Sequence, residues 1–283
     1  MSEPSTYDAM VLAGGGCRCF WQVGFYETVA PELNLRPKQV AAVSAGSAMA
    51  CMLFSGTVEQ GLEYFTDRAG RNERNIYPEN LWGDAPVFPH EEIYRETILH
   101  ACDQAALDRL RQGPDVRVLL SRPPEWLGSL GGVAVGFLAY EAEKLLSPSV
   151  HPELARRLGF SSEVVSLATC ETPAALAEVI LQSSCTPPFT PVYLRDEVPV
   201  LDGGLVDNVP VSALTDEAEN VLVLLTRRYP DDVIPAVAGR TYVQPSESIP
   251  VEKWDYASPD LVLAALDLGR RDGESFLSSR AAG

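Results

Sequence analysis

Short apolar runs bounded by turn-forming residues alternate along this chain with longer stretches of helical periodicity. The runs are Ala9 to Ala13, Val40 to Val43, Val116 to Leu120, Val164 to Ala168 and Val221 to Leu225, each rich in Val or Leu. Mainly apolar character over so few residues belongs to strands covered on both faces. Helical stretches fall at Phe20 to Ala30, Gly46 to Ser55, Val58 to Ala69, Glu91 to Arg111, Leu138 to Leu146, Ala174 to Ser183 and Pro259 to Arg271. The alternation predicts an α/β fold with a mostly parallel central sheet flanked by helices. Between Val192 and Leu201 the pattern predicts a hairpin turning at Arg195, Asp196 and Glu197. Residues Asn72 to Pro89, with Pro78, Pro86 and Pro89, lack periodicity and predict a long surface loop of the kind that shapes access on α/β scaffolds. No repeat or low-complexity linker divides the chain, so one domain over residues 1–283 is expected.

Charge narrows the partners. The chain has 283 residues, 46% of them hydrophobic, and carries 22 Lys and Arg against 39 Asp and Glu, a formal net charge of −17. A nucleic-acid binder needs the opposite sign, and an anionic bilayer repels this protein at long range. Contact with a membrane surface is therefore expected to be transient and mainly apolar. No run reaches the roughly 18 to 20 uncharged residues of a spanning helix. The nearest, Trp126 to Tyr140, is short and broken by Gly128, Gly131, Gly132 and Gly136. Met1 to Asp8 lacks the charged and apolar regions of a signal peptide, and a cytoplasmic protein is expected. Cys17, Cys19, Cys51, Cys102, Cys170 and Cys185 show neither C-x-x-C spacing nor a neighbouring His, which predicts reduced thiols rather than a metal site.

Two turns carry candidate chemistry. The first, Ala13-Gly14-Gly15-Gly16-Cys17-Arg18-Cys19, joins a strand to a helix. A dinucleotide fingerprint requires Gly where Cys19 stands and an acidic residue at the end of a second strand, where only Glu32 is in range, in a loop. The glycines otherwise make a tight turn, or leave backbone N–H groups open to a developing negative charge. The second, Ala42-Val43-Ser44-Ala45-Gly46-Ser47, approximates the G-x-S-x-G elbow that lifts a serine hydroxyl out at a helix N-terminus. Ala42 replaces its first glycine. Ser44 is the candidate nucleophile and the Ala45 N–H a candidate oxyanion donor. The competing role, a helix cap, falls to Ser47 if the elbow is real.

A serine nucleophile needs a base. His90, His100 and His151 all precede Asp202, so the Ser, Asp, His order of α/β-hydrolases cannot be completed, and each His is expected at the surface or in a loop. Asp202 ends an apolar strand and is followed by Gly203 and Gly204, a setting unlike that of the solvated acids and suited to a general base.

Together these motifs resemble the patatin-like phospholipase family. Gly14-Gly15-Gly16-Cys17-Arg18 is similar to its oxyanion-hole motif, Val43-Ser44-Ala45-Gly46-Ser47 to its nucleophile elbow and Asp202-Gly203-Gly204 to its catalytic Asp motif. Ser183 to Phe189 and Val206 to Pro210 also match family patterns, and the resemblance spans Tyr7 to Leu225 with 226–283 as an extension. It implies a three-layer fold and a Ser44–Asp202 dyad hydrolysing phospholipid or lysophospholipid esters through an acyl-enzyme. Amides of Gly14, Gly15 and Gly16 would stabilise the oxyanion, and no cofactor is implied. Arg18 would meet a phosphate headgroup or brace the loop. Acyl transfer to another acceptor, or a silent lipid-binding module, are the alternatives; Cys19, where the family has Gly, and Ala42 motivate the latter.

Overall fold

Adjacent strands here are short, apolar and in register, so they stack into one sheet and force the amphipathic segments between them onto its faces. The computed structural model describes residues 6–124, 150–151 and 154–281. Its strands are β1 (Ala9–Leu12), β2 (Gln39–Val43), β3 (Asp115–Arg122), β4 (Ser161–Ser166), β5 (Tyr193–Arg195), β6 (Val198–Asp202), β7 (Val221–Leu224) and β8 (Arg240–Val243). The order is β5-β6-β3-β2-β1-β7-β8, with β4 also on β3. β3, β2, β1, β7 and β8 run parallel, while β4 and β6 are antiparallel to β3 and β5 to β6.

The helices are α1 (Phe20–Glu32), α2 (Ala45–Ser55), α3 (Val58–Arg71), α4 (His90–Ala101), α5 (Gln104–Gln112), the single turn α6 (Leu154–Arg157), α7 (Pro173–Ser183) and α8 (Pro259–Ala281). Alternation along the strands separates two cores. Met10, Leu12, Val40, Ala42, Leu222 and Leu224 face the helices, whereas Ala9, Val11, Ala41, Val221 and Val223 pack against Val209, Val211 and Ala213 on the opposite face. The sheet is thus the middle of three layers.

Several expectations are corrected. The helix expected from Glu91 to Arg111 is two, because Asp103 accepts the Ala106 N–H at 2.8 Å and caps α5, interrupting the run. The β4 strand begins earlier than Val164 and is antiparallel, and β8 had no strand signal in its Arg-Thr-Tyr-Val sequence. Arg195 belongs to β5, so the hairpin turns on Asp196 and Glu197, both at positive φ (52° and 64°), as a two-residue turn with the twist of its strands requires. The C-terminal extension is integral: β8 joins the sheet, and α8 lies along α1, where the Trp21 indole donates to Asp272 at 2.8 Å. The helix expected from Leu138 to Leu146 and the Trp126 to Tyr140 stretch lie outside the described residues. Among the described residues no helix is long and apolar enough to cross a membrane.

Candidate active site

Strand register brings the two distant motifs together. β4 takes one edge of β3 from Arg117 to Arg122. Along the other edge β2 pairs as far as Val43 opposite Leu119, and β6 takes over with Asp202 opposite Leu120. Because β2 runs parallel to β3 and β6 antiparallel, their C-terminal ends meet head-on. Ser44 follows one end and Asp202 closes the other, and the Ser44 hydroxyl donates to Asp202 Oδ2 at 2.7 Å.

The elbow is sharp. Ser44 has φ 54° and ψ −137°, a region costing a non-glycine residue about 1–3 kcal/mol. Two features hold it there. Its N–H donates to Ser183 Oγ at 2.8 Å, and that hydroxyl donates to the Leu119 carbonyl at 2.7 Å, so one side chain ties the elbow to β3. At Gly46 the helix crosses so close to β1 that a Cβ would lie 2.7 Å from both the Leu12 and Ala13 carbonyl oxygens. The first elbow position makes no such demand, and the Ala42 methyl is buried in the helix-side core. Ser47 is not the cap: it sits within the first turn of α2, buried, and its hydroxyl finds no partner among the described residues.

Asp202 is held as firmly. Its Oδ1 accepts the Gly204 N–H at 2.7 Å, and Oδ2 also accepts from Thr186 Oγ1 at 3.3 Å. Ser44 and Asp202 are both buried, at 4% and 6% exposure, so their hydrogen bond is poorly screened by water.

The glycine loop narrows the expected set of amides. The Gly14 N–H donates to the Asn208 carbonyl at 3.1 Å and is committed, while the Gly14 carbonyl accepts from Asn208 Nδ2 at 3.1 Å and from the Thr226 hydroxyl. Gly15 is extended, and Gly16, at φ 58°, opens the 3-10 turn Gly16–Cys19, whose first amides have no acceptor inside the turn. Ala45 at the first position of α2 is in the same situation. Arg18 braces the loop: Nε donates to the Val251 carbonyl at 3.3 Å and the guanidinium pairs with Glu252. Cys19 is buried, its thiol pointing to the Ala13 carbonyl at 3.5 Å, and burial pushes its pKa well up, so it stays a neutral thiol behind the loop.

No histidine bonds to Ser44 or Asp202. His90 lies in the interior rather than at the surface, its Nε2 2.9 Å from the Trp254 carbonyl and its ring among Phe88, Phe189 and Tyr256. Half-buried His151 bonds to Asp207 at 3.0 Å, and His100 stacks on Tyr64. Four supporting residues had no individual role in the sequence reading. Ser183, Thr186 and Asn208 lay inside the quoted blocks, whereas Thr226 follows a strand with nothing to mark it.

Behind the loop and the elbow lies an apolar cavity of about 20 Å³, walled by Phe20, Met49, Met52, Phe65, Ile98 and Ile180, with Gly16 and Ala45 on its site side. All six cysteines are free, with Cys51 and Cys102 sulfurs 2.9 Å apart in its wall.

A mixed sheet flanked by helices, with a strand passing into a helix at a serine-bearing elbow, places the chain among the three-layer α/β proteins. Its family is shown by sequence: the patatin-like phospholipase model matches residues 10–215, and the chain belongs to that family of lipid acyl hydrolases. Among solved structures it is similar to VipD from Legionella pneumophila, at 12% identity and a TM-score of 0.48, over 98% of this chain and 67% of that one. No match was found among curated proteins.

Proposed function

We propose that this chain hydrolyses the carboxylic esters of phospholipids or lysophospholipids through a Ser44 acyl-enzyme. The observation that carries the reading is the 2.7 Å hydrogen bond from the Ser44 hydroxyl to Asp202 Oδ2. Asp202 accepts the Ser44 proton as Oγ attacks the substrate carbonyl carbon. The oxyanion of the tetrahedral intermediate rests on the Gly15, Gly16 and Ala45 amides, and Asp202 returns the proton to the departing alcohol or lysolipid. In the second half, Asp202 deprotonates the water that attacks the acyl-enzyme, and Ser44 recovers its proton. A positioned base contributes about 10²–10⁴ and each oxyanion donor about 10²–10³ in rate. Gly14 acts by holding the loop, and Arg18 by bracing it.

The apolar cavity beside Gly16 and Ala45 suits the acyl chain. At about 20 Å³ it has room for little more than one water molecule, so substrate entry requires it to widen. Met49 and Met52, unbranched and adaptable, line the part that must yield. The free thiols fit work in a reducing compartment such as the cytoplasm.

A fluorophosphonate probe should label the wild type at Ser44, and Ser44→Ala should lose both labelling and ester hydrolysis. Asp202→Asn should keep the fold and lose about 10²–10⁴ in turnover. Full hydrolysis by Ser44→Ala refutes the assignment.

A further inference from the structure

An aromatic cluster joins the site's two flanking segments to a loop whose tip is apolar and open to solvent. Thr186, which bonds to Asp202, is followed by Phe189; Lys253, whose carbonyl accepts the Cys17 N–H behind the glycine loop, is followed by Trp254. Phe189 and Trp254 stack with ring centroids 4.6 Å apart, and Phe88 meets Phe189 at 5.0 Å. The 72–89 loop is tied to this cluster at both ends. At its start Asn72 donates to the Tyr256 carbonyl at 2.8 Å and Asn75 accepts the Tyr256 N–H at 2.7 Å; at its end stands Phe88. The Tyr77 N–H donates to the Val87 carbonyl at 2.9 Å and pinches the loop, leaving Trp82 midway between.

Trp82 is 92% exposed, its neighbour Leu81 65% and Ile76 47%. Large apolar side chains in adjacent positions, supported by a short 3-10 turn (Pro78–Trp82), are not an accident of a surface lacking polar cover. Within the loop Arg74 pairs with Glu79 and lies over the Tyr77 ring at 4.8 Å, and the charge nearest the tip is acidic, Asp84. An apolar tip with Trp at its end suits the interface of a bilayer, where Trp sits at headgroup level. The net charge of −17 opposes an anionic surface and selects a zwitterionic one.

We propose that Leu81 and Trp82 insert into zwitterionic lipid surfaces and hold the mouth of the Ser44–Asp202 site against the bilayer. This rests on the lipid-hydrolase reading for its purpose, but the binding itself is measured apart from catalysis. Sedimentation with phosphatidylcholine vesicles should show binding by the wild type and equally by Ser44→Ala, falling about tenfold or more in Leu81→Ala/Trp82→Ala, with Trp82→Phe retaining most of it. Adding phosphatidylserine at low salt should weaken binding. Hydrolysis of a vesicle-borne ester should fall with binding in the double variant, while turnover of a soluble short-chain ester stays at the wild-type level. Vesicle binding by the double variant equal to wild type overturns the proposal, as does a Trp82-dependent dimer that ignores vesicles. If the wild type hydrolyses no ester yet binds vesicles through these two residues, the docking surface stands and the hydrolase reading falls.

Discussion

Replacing Ser183 by Ala removes one oxygen that serves two main-chain groups. In the native protein it accepts the Ser44 N–H at 2.8 Å and donates to the Leu119 carbonyl at 2.7 Å, both in the interior. Ser183 itself is fully buried, so no surface water stands in for the lost hydroxyl. Each orphaned group costs about 1–3 kcal/mol. Part of that returns if Ser44 relaxes from its φ of 54°, which stores about 1–3 kcal/mol. A net loss of about 2 kcal/mol follows if both orphaned groups cost mid-range values and half is recovered. For a chain of this size that is a fall in Tm of roughly 3–4 °C. Relaxation has a functional consequence, since the angle that is released is the one aiming the hydroxyl at Asp202. Fluorophosphonate labelling and kcat should therefore fall by about tenfold or more while KM for a soluble ester changes little, a pattern that a purely structural loss would not give below its Tm. Ser183→Thr, which restores the hydroxyl, should recover more of the rate than Ser183→Val. A Ser183→Ala protein with unchanged Tm and unchanged labelling refutes the view that this bridge holds the elbow.

Other consequences follow from crowding and from titration. Gly46→Ala places a methyl 2.7 Å from two carbonyl oxygens of β1 and its following turn, and should lower stability by about 1–3 kcal/mol in urea unfolding and abolish probe labelling. The matching Ala42→Gly change should leave labelling within about twofold, because that position already accepts its methyl. Burial lowers the pKa of His90 below its ordinary 6.5, against the opposing effects of the Trp254 carbonyl and Asp255. The folded protein then resists a proton that the unfolded chain accepts. This contribution to stability is complete above about pH 7 and is lost as pH falls through 6.5 toward the depressed folded value. Urea midpoints should decline over that window, less steeply in His90→Gln than in the wild type; a steeper decline in the variant would reverse the sign argued here.

The α/β class and the two residues that meet at the end of β2 are legible in the sequence, whereas the details of pairing around them are not. Ser44 and Asp202 stand out because each ends an apolar run and is followed by small residues, and such breaks survive without any knowledge of pairing. The direction of β4 did not, since a covered strand has the same composition whether its neighbour runs with it or against it. The break at Asp103 is hidden in the sequence because the residue lies inside a helical pattern that runs on from Glu91 to Arg111. The strand β8, edge-placed and led by Arg240, has too little apolar character to register. Gly14 shows the limit for backbone groups: three adjacent glycines offer three equivalent amides on paper, and only the approach of Asn208, 194 residues away, removes one of them. His90 was misplaced for a similar reason, its neighbours Phe189, Trp254 and Tyr256 coming from distant segments.

The strand ends that meet on β3 give Ser44 and Asp202 a common frame, each set beside one of two consecutive residues, Leu119 and Leu120. The closed apolar chamber is walled most by α2, through Ala45, Ala48, Met49, Cys51 and Met52, with Tyr94, Thr97 and Ile98 of α4 opposite. Chamber and elbow therefore share one helix, so any change in the bulk of Met49 or Met52 is transmitted along α2 to Ser44 at its head.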